Sequence, residues 1–126
     1  IDPQRIGIAG FSDGATYSIG LGRINGDLFK RMVAFSPGIL LPAPNTYKTP
    51  LYMTHGYRDD VLPMDLTSIP IAEQLAAAGY QVTFRKFDGG HWMPAAYVPE
   101  AFRWLLTGEL DTTAQEHRQA AMTRLW

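Results

Sequence analysis

Short apolar runs alternate with longer stretches of helical periodicity along this chain, and glycine and proline punctuate the joins. That alternation constrains the fold more than any other feature. A strand that feeds a helix reaches the next strand of the same sheet by a parallel, right-handed crossover. The first apolar run, residues 5–10, reads as a short buried strand that ends in small residues. Over residues 13–28 the period becomes helical, with Tyr17, Leu21, Ile24 and Leu28 on one face and Asn25-Gly26 ending or interrupting the helix. Residues 31–35 predict a second strand, closed by Ser36-Pro37-Gly38 as a turn. The segment 41–50 reads as a loop, since Pro42, Pro44 and Pro50 disfavour a continuous ladder or helix. A third strand over 50–54 leads into His55-Gly56, and an Ala-rich helix over 71–78 is stopped by Gly79. Val82, Phe84 and, less regularly, Phe87 mark a fourth strand over 81–87. A closing helix over 99–106 turns Phe102, Leu105 and Leu106 inward. The expected class is α/β, a parallel sheet flanked by helices.

At 126 residues the chain has the length of one domain. Residues 1–110 carry the α/β pattern. Residues 111–126 read as a terminal helix or tail, in which Thr113 and Glu116 have capping-box spacing for a helix carrying Ala114, Ala121, Met122 and Leu125. Packing of that helix back on the domain is favoured over a partner-binding role. Eleven basic against twelve acidic side chains leave a net charge of −1, which offers no footprint for nucleic acid or an anionic membrane. No apolar stretch approaches the ~20 residues of a membrane span. The absence of cysteine excludes disulfides, thiolate chemistry and Cys-based metal sites, and fits the expected cytoplasmic location. Ile1 stands where a methionine would begin a primary product, so the chain reads as processed, trimmed or cut from a longer parent.

Chemistry concentrates at Gly10-Phe11-Ser12-Asp13-Gly14, a G-x-S-x-G run between the first strand and the first helix. A serine on a sharp strand-to-helix turn projects its hydroxyl from the sheet top, and flanking glycines relieve collision where the backbone doubles back. The backbone N–H of Asp13, at the positive end of the helix, would face a developing oxyanion. The competing reading is a Gly-rich phosphate or nucleotide turn. A serine hydroxyl is a poor nucleophile and needs a base oriented by an acid. His55-Gly56-Tyr57-Arg58-Asp59-Asp60-Val61-Leu62-Pro63 follows the third strand and Asp88-Gly89-Gly90-His91-Trp92 follows the fourth, both on the sheet edge that carries Ser12. Asp59, Asp60 and Asp65 are all candidate acids, while Asp88 reads as shaping its turn. His55 reads as structural and His117 as solvent-exposed, with His91 a candidate base. No H-x-H or H-E-x-x-H spacing occurs, so a zinc site is not expected. Phe11, Trp92 and Met93 flank these positions and would line an acyl pocket or pack as core or lid.

GFSDG, HGYRDDVLP and GGHW, in that order, resemble the α/β-hydrolase esterases, in particular the small carboxylesterase, phospholipase-like and polyhydroxyalkanoate-depolymerase-like group. The resemblance spans about residues 4–108. It implies Ser12 as nucleophile, Asp59 as the acid (the fourth place after His55) and His91 as general base, with Leu62 where valine is usual. It also implies hydrolysis of small or medium acyl esters through an acyl-enzyme, without cofactor or metal. Thioesterase, lactonase and peptidase activities share such residues, and a non-catalytic half-domain is the alternative outside enzymes. The family's sheet has strands before the serine, and the loop after one of them supplies a second oxyanion donor. Here Ser12 comes almost first, so the expectation is the C-terminal half of that fold. The strand at 5–10 then becomes an exposed edge, which pairs in a homo-oligomer or with a missing N-terminal half.

Overall fold

A computed structural model describes residues 2–110. Within them four strands form one sheet in chain order: β1 (Gly7–Phe11), β2 (Arg31–Phe35), β3 (Leu51–Gly56) and β4 (Val82–Phe87). Every adjacent pair is parallel. The crossovers include α1 (Asp13–Ile24) between β1 and β2 and α2 (Ser68–Ala77) between β3 and β4, and α3 (Val98–Thr107) follows the last strand. The expected helix over 111–126, and His117 with it, lie outside the described residues.

The two-residue period of a strand sends alternate side chains to opposite faces, and both faces are covered. Met32, Ala34, Leu51 and Met53 meet Ala15 and Ile19 of α1 and Ile71 and Leu75 of α2. Val33, Phe35 and Tyr52 point the other way, against Ala101, Trp104 and Leu105 of α3. The central strands therefore read as nearly continuous apolar runs. By contrast β1, at one edge of the described sheet, has no fully buried residue.

Several sequence expectations shift on the structure. β1 starts two residues later than expected, and β3 runs on through His55 and Gly56. α1 ends at Ile24 because the Asn25 side chain and N–H both donate to the Leu21 carbonyl, which closes the last turn. α2 begins at Ser68, three residues early, since Pro70 sits in its first turn, where no helical N–H is needed. Gly79 and Gly108 follow α2 and α3 in left-handed backbone, at φ 94° and 76°.

Helix faces differ more. Tyr17, Leu21, Ile24 and Leu28 share a side of the first helical segment as expected, yet all four are exposed. The face on the sheet is instead Ala15, Ser18, Ile19 and Gly22. Close approach explains the choice, for a Cβ on Gly22 would stand 2.4 Å from the Met32 side chain. In α3, Phe102 and Leu106 are also exposed, while Ala101, Trp104 and Leu105 face inward. Glu100 is buried with them and accepts from Arg85 Nε at 2.9 Å and from Tyr52 Oη at 2.7 Å.

Arg23 ties down three points of the Pro-rich loop. The buried Arg23 guanidinium donates to Leu41 O, Ala43 O and Asn45 Oδ1, each at 3.0 Å. No helix among the described residues is long and apolar enough to cross a membrane. The orientation of α3 is tested by urea denaturation. Trp104→Ala should cost about 3–5 kcal/mol, whereas Leu106→Ala should stay within about 0.5 kcal/mol. Equal losses would contradict a helix that buries Trp104 and exposes Leu106.

Candidate active site

Ser12 stands between the last residue of β1 and the first of α1. Its backbone adopts φ 58°, ψ −118°, a left-handed conformation that costs a non-glycine residue on the order of 1–3 kcal/mol. Surrounding bonds hold it there. Ser12 N–H donates to Phe35 O at 2.8 Å, and its carbonyl accepts from Ala15 and Thr16 N–H. Gly10 is what allows the sharp reversal, because a Cβ there would lie 2.2 Å from the Gly14 carbonyl oxygen. Gly14 has no such role, as its own Cβ would meet nothing within 4 Å. Only one of the two motif glycines therefore answers to crowding. Asp13 is the first residue of α1, so its N–H has no acceptor within the helix and lies beside the Ser12 hydroxyl in the chain.

The loops after β3 and β4 continue to hydrogen-bond past the strand ends. Tyr57 N–H donates to Phe87 O and Arg58 N–H to Gly89 O, both at 3.0 Å. Gly56 makes the close pairing possible, since a Cβ there would be 2.2 Å from Gly89 O and 2.5 Å from Gly90 O. Zipped together, these loops bring Asp59 to His91, with Asp59 Oδ2 2.7 Å from His91 Nδ1. His91 Nε2 lies 2.9 Å from Ser12 Oγ. An ionised carboxylate only accepts, so Nδ1 carries the proton and the bare Nε2 accepts from the serine hydroxyl. The ring of Phe11 flanks His91 at 5.0 Å between centroids.

Asp59 is buried, which by itself would push its carboxyl up. That effect is outweighed by N–H donation from Leu62, by the hydrogen bond and charge of His91, and by N–H donation from Val61. The net direction is below the ordinary value of 3.8. Asp59 Oδ1 accepts from Val61 N at 3.0 Å and Leu62 N at 2.7 Å. His55, fully buried, places Nε2 3.2 Å from Asp59 Oδ2. Burial lowers the His55 imidazole below its ordinary value of 6.5, against the opposing pull of Leu62 O and Asp59.

The rivals of Asp59 lie elsewhere. Asp60 lines a hollow that His91 also borders, Asp65 belongs to a short 3-10 turn, and Asp88 makes an exposed ion pair with Arg58 at 2.6 Å. The side chains expected to form one acyl pocket do not share one. Phe11 and Met93 line an apolar cavity of about 140 Å³ with Ala9, Gly10, Phe35 and Phe102. Trp92 instead walls a hollow of about 420 Å³ with Arg58, Asp60, Asp88 and His91. A third cavity, of about 300 Å³, opens beside Asp13 between Thr16, Tyr17, Ile39, Leu41 and Leu62. Sequence reading missed this one, because its walls come from α1, the loop after β2 and the loop after β3. Among the described residues, no group of three or more His, Cys, Asp or Glu could hold a metal ion.

Residues 1–105 match a family model described as phospholipase/carboxylesterase. No curated protein matches the chain significantly. Among solved structures it is similar to a protein of unknown function from Agrobacterium tumefaciens, at 27% identity and TM-score 0.62, covering 77% of this chain and 48% of that one. Esterase PE8 is similar at 25% identity and TM-score 0.68, covering 83% and 51%. A Bacillus cereus carboxylesterase shares the fold, at 21% identity, TM-score 0.69 and coverage of 83% and 50%. The chain thus spans about half the length of these structures.

Two measurements check the site's physics. Gly10→Ala should cost about 1–3 kcal/mol through overpacking, while Gly14→Ala should change stability by no more than about 1 kcal/mol. Unfolding midpoints of the two variants decide it. For pH, the unfolded chain protonates His55 near 6.5 and the folded chain resists, so stability should fall as pH drops below 6.5. His55→Gln should flatten that slope. The contribution of Asp59 is present above 3.8 and lost as pH falls through its lowered folded value.

Proposed function

From a chain that belongs to the phospholipase/carboxylesterase family of α/β hydrolases, we propose that this protein hydrolyses carboxylic esters through an acyl-enzyme, with Ser12, His91 and Asp59 as the reacting set. The observation that carries the reading is the unbroken chain of hydrogen bonds from Ser12 Oγ through His91 to Asp59, at 2.9 and 2.7 Å. Ser12 Oγ attacks the ester carbonyl as His91 Nε2 takes its proton. The negative charge on the carbonyl oxygen is met by the Asp13 N–H. On collapse the C–O bond to the alcohol breaks, and the imidazolium returns its proton to the leaving alkoxide. Water, deprotonated by the same nitrogen, then attacks the acyl-enzyme, and the proton goes back to Ser12 as the acid departs. Asp59 keeps His91 in the Nδ1–H tautomer and stabilises the imidazolium. The apolar cavity beside Phe11 and Met93 suits a short acyl or alkyl group. The cavity beside Asp13 offers room for a second group of mixed polarity.

Full activity in this reading depends on association. The outer side of β1 has no strand partner among the described residues, and unpaired strand edges seek one. Beside it the exposed stripe of Tyr17, Leu21 and Ile24 on α1 adds an uncovered apolar face. A second copy, or an N-terminal half of the fold, would pair with β1, cover that stripe and supply the second oxyanion donor. One such donor is worth about 2.7–4 kcal/mol of transition-state stabilisation.

A fluorophosphonate probe should label the protein at Ser12 and leave Ser12→Ala unlabelled. Asp59→Asn should lower kcat on the order of 10⁴-fold, since the wrong tautomer would face the serine. Labelling indistinguishable from Ser12→Ala would sink the reading. For association, native mass measurement should find an assembled species, with activity lost on dilution. A monomer with full turnover refutes that part alone.

A further inference from the structure

Both ring nitrogens of His55 are engaged away from Ser12, and the ring has no exposed surface, which excludes it as a second base. Its partners nevertheless make it more than filler. Nε2 lies 2.7 Å from the Leu62 carbonyl oxygen and 3.2 Å from Asp59 Oδ2, and neither of these can donate a proton. Nδ1 lies 2.5 Å from Ser68 Oγ, a hydroxyl that can. A single arrangement satisfies all three: Nε2–H is shared between Leu62 O and Asp59 Oδ2, and Nδ1 accepts from the Ser68 hydroxyl. The two strands of this network close on Leu62, whose N–H binds Asp59 Oδ1 at 2.7 Å while its carbonyl binds His55. Asp59 is therefore held at Oδ1 by its own loop and at Oδ2 by a side chain from the sheet.

We infer that His55, latched by Ser68 at the start of α2, is a positioning residue whose Nε2–H fixes the Asp59 carboxylate that orients His91. The inference rests on the ester-hydrolysis reading above. Without this N–H, Asp59 Oδ2 would keep His91 alone as its polar partner in a buried setting, and the carboxylate could rotate about the Oδ1 anchor. Small displacements of a reacting group lower rate steeply, by as much as about 100-fold for an ångström. The titratable groups acting on His55 are Asp59, which favours the charged ring, and His91, which opposes it. Burial outweighs both and moves the ring's titration below its ordinary value. A charged imidazole there would also compete with the imidazolium formed at His91 during turnover. Ser68 is itself fully buried, so the latch is shielded from water.

The test compares His55→Leu, which has no donor, with His55→Gln, whose amide N–H reaches the place of Nε2–H. On p-nitrophenyl acetate, His55→Leu should lower kcat about 10- to 100-fold, with KM within about 2-fold of the parent. His55→Gln should recover kcat to within about 3-fold of the parent, even where both variants lose similar thermal stability. Ser68→Ala should lower kcat several-fold at unchanged KM, and it serves where His55→Leu does not fold. Equal loss in the Leu and Gln variants, a rise in KM with kcat kept, or unchanged rates in all three overturns the proposal. Imidazole ¹⁵N spectra give a readout free of catalysis. At about pH 8 the neutral His55 should be the Nε2–H tautomer, and an Nδ1–H form overturns it. Failure of the parent protein to react with fluorophosphonate would overturn the ester-hydrolysis reading instead, while the spectra still judge His55.

Discussion

Everything at the carboxyl edge of this sheet turns on one buried carboxylate. Asp59 has given up most of its hydration, and a desolvated charge is tolerated only when its oxygens are filled by donors. Two backbone N–H groups of its own loop, the His91 ring and the His55 ring fill them. Meeting that demand also folds the loop from Gly56 to Leu62, orients His91 and ties the loop to α2 through Ser68. The shape of the site follows from satisfying one acid.

The glycines show how tightly the supporting backbones must approach. At Gly10 the end of β1 nearly touches the first turn of α1, and at Gly56 the end of β3 nearly touches the loop after β4. Each contact sets one member of the site against another: the first aims Ser12, and the second brings Asp59 to His91. Rigid strands thus carry loops whose side chains meet across long sequence separations.

Much of this was legible in the chain. Alternating short apolar and longer helical segments marked out four strands and their parallel pairing, and G-x-S-x-G marked the reversal at Ser12 because few residue types fit there. The motif spacing after His55 singled out Asp59 by resemblance, which a count of nearby acids could not. Helix orientation was not legible, for a definable reason. Periodicity groups Tyr17, Leu21 and Ile24 on one side of α1, but it cannot say which side touches the sheet. The close contact of Gly22 with Met32 requires a face of small residues, and Ala15, Ser18 and Ile19 provide it. In α3 the indole of Trp104 packs against Tyr52 at 5.8 Å, which turns Phe102 and Leu106 outward.

By itself, then, the sequence determined the α/β class, the parallel pairing of the strands and a candidate nucleophile and base, with the acid singled out by motif resemblance. Those properties depend on local patterns: residue period, turn chemistry and motif spacing. Tertiary structure decided which helix faces are buried, how the cavities divide around Ser12, and that His55 belongs with Asp59. These depend on distances between segments far apart in the chain. A histidine thirteen residues from Ser68 and four from Asp59 looks like the end of a strand until the fold shows which atoms its two nitrogens face.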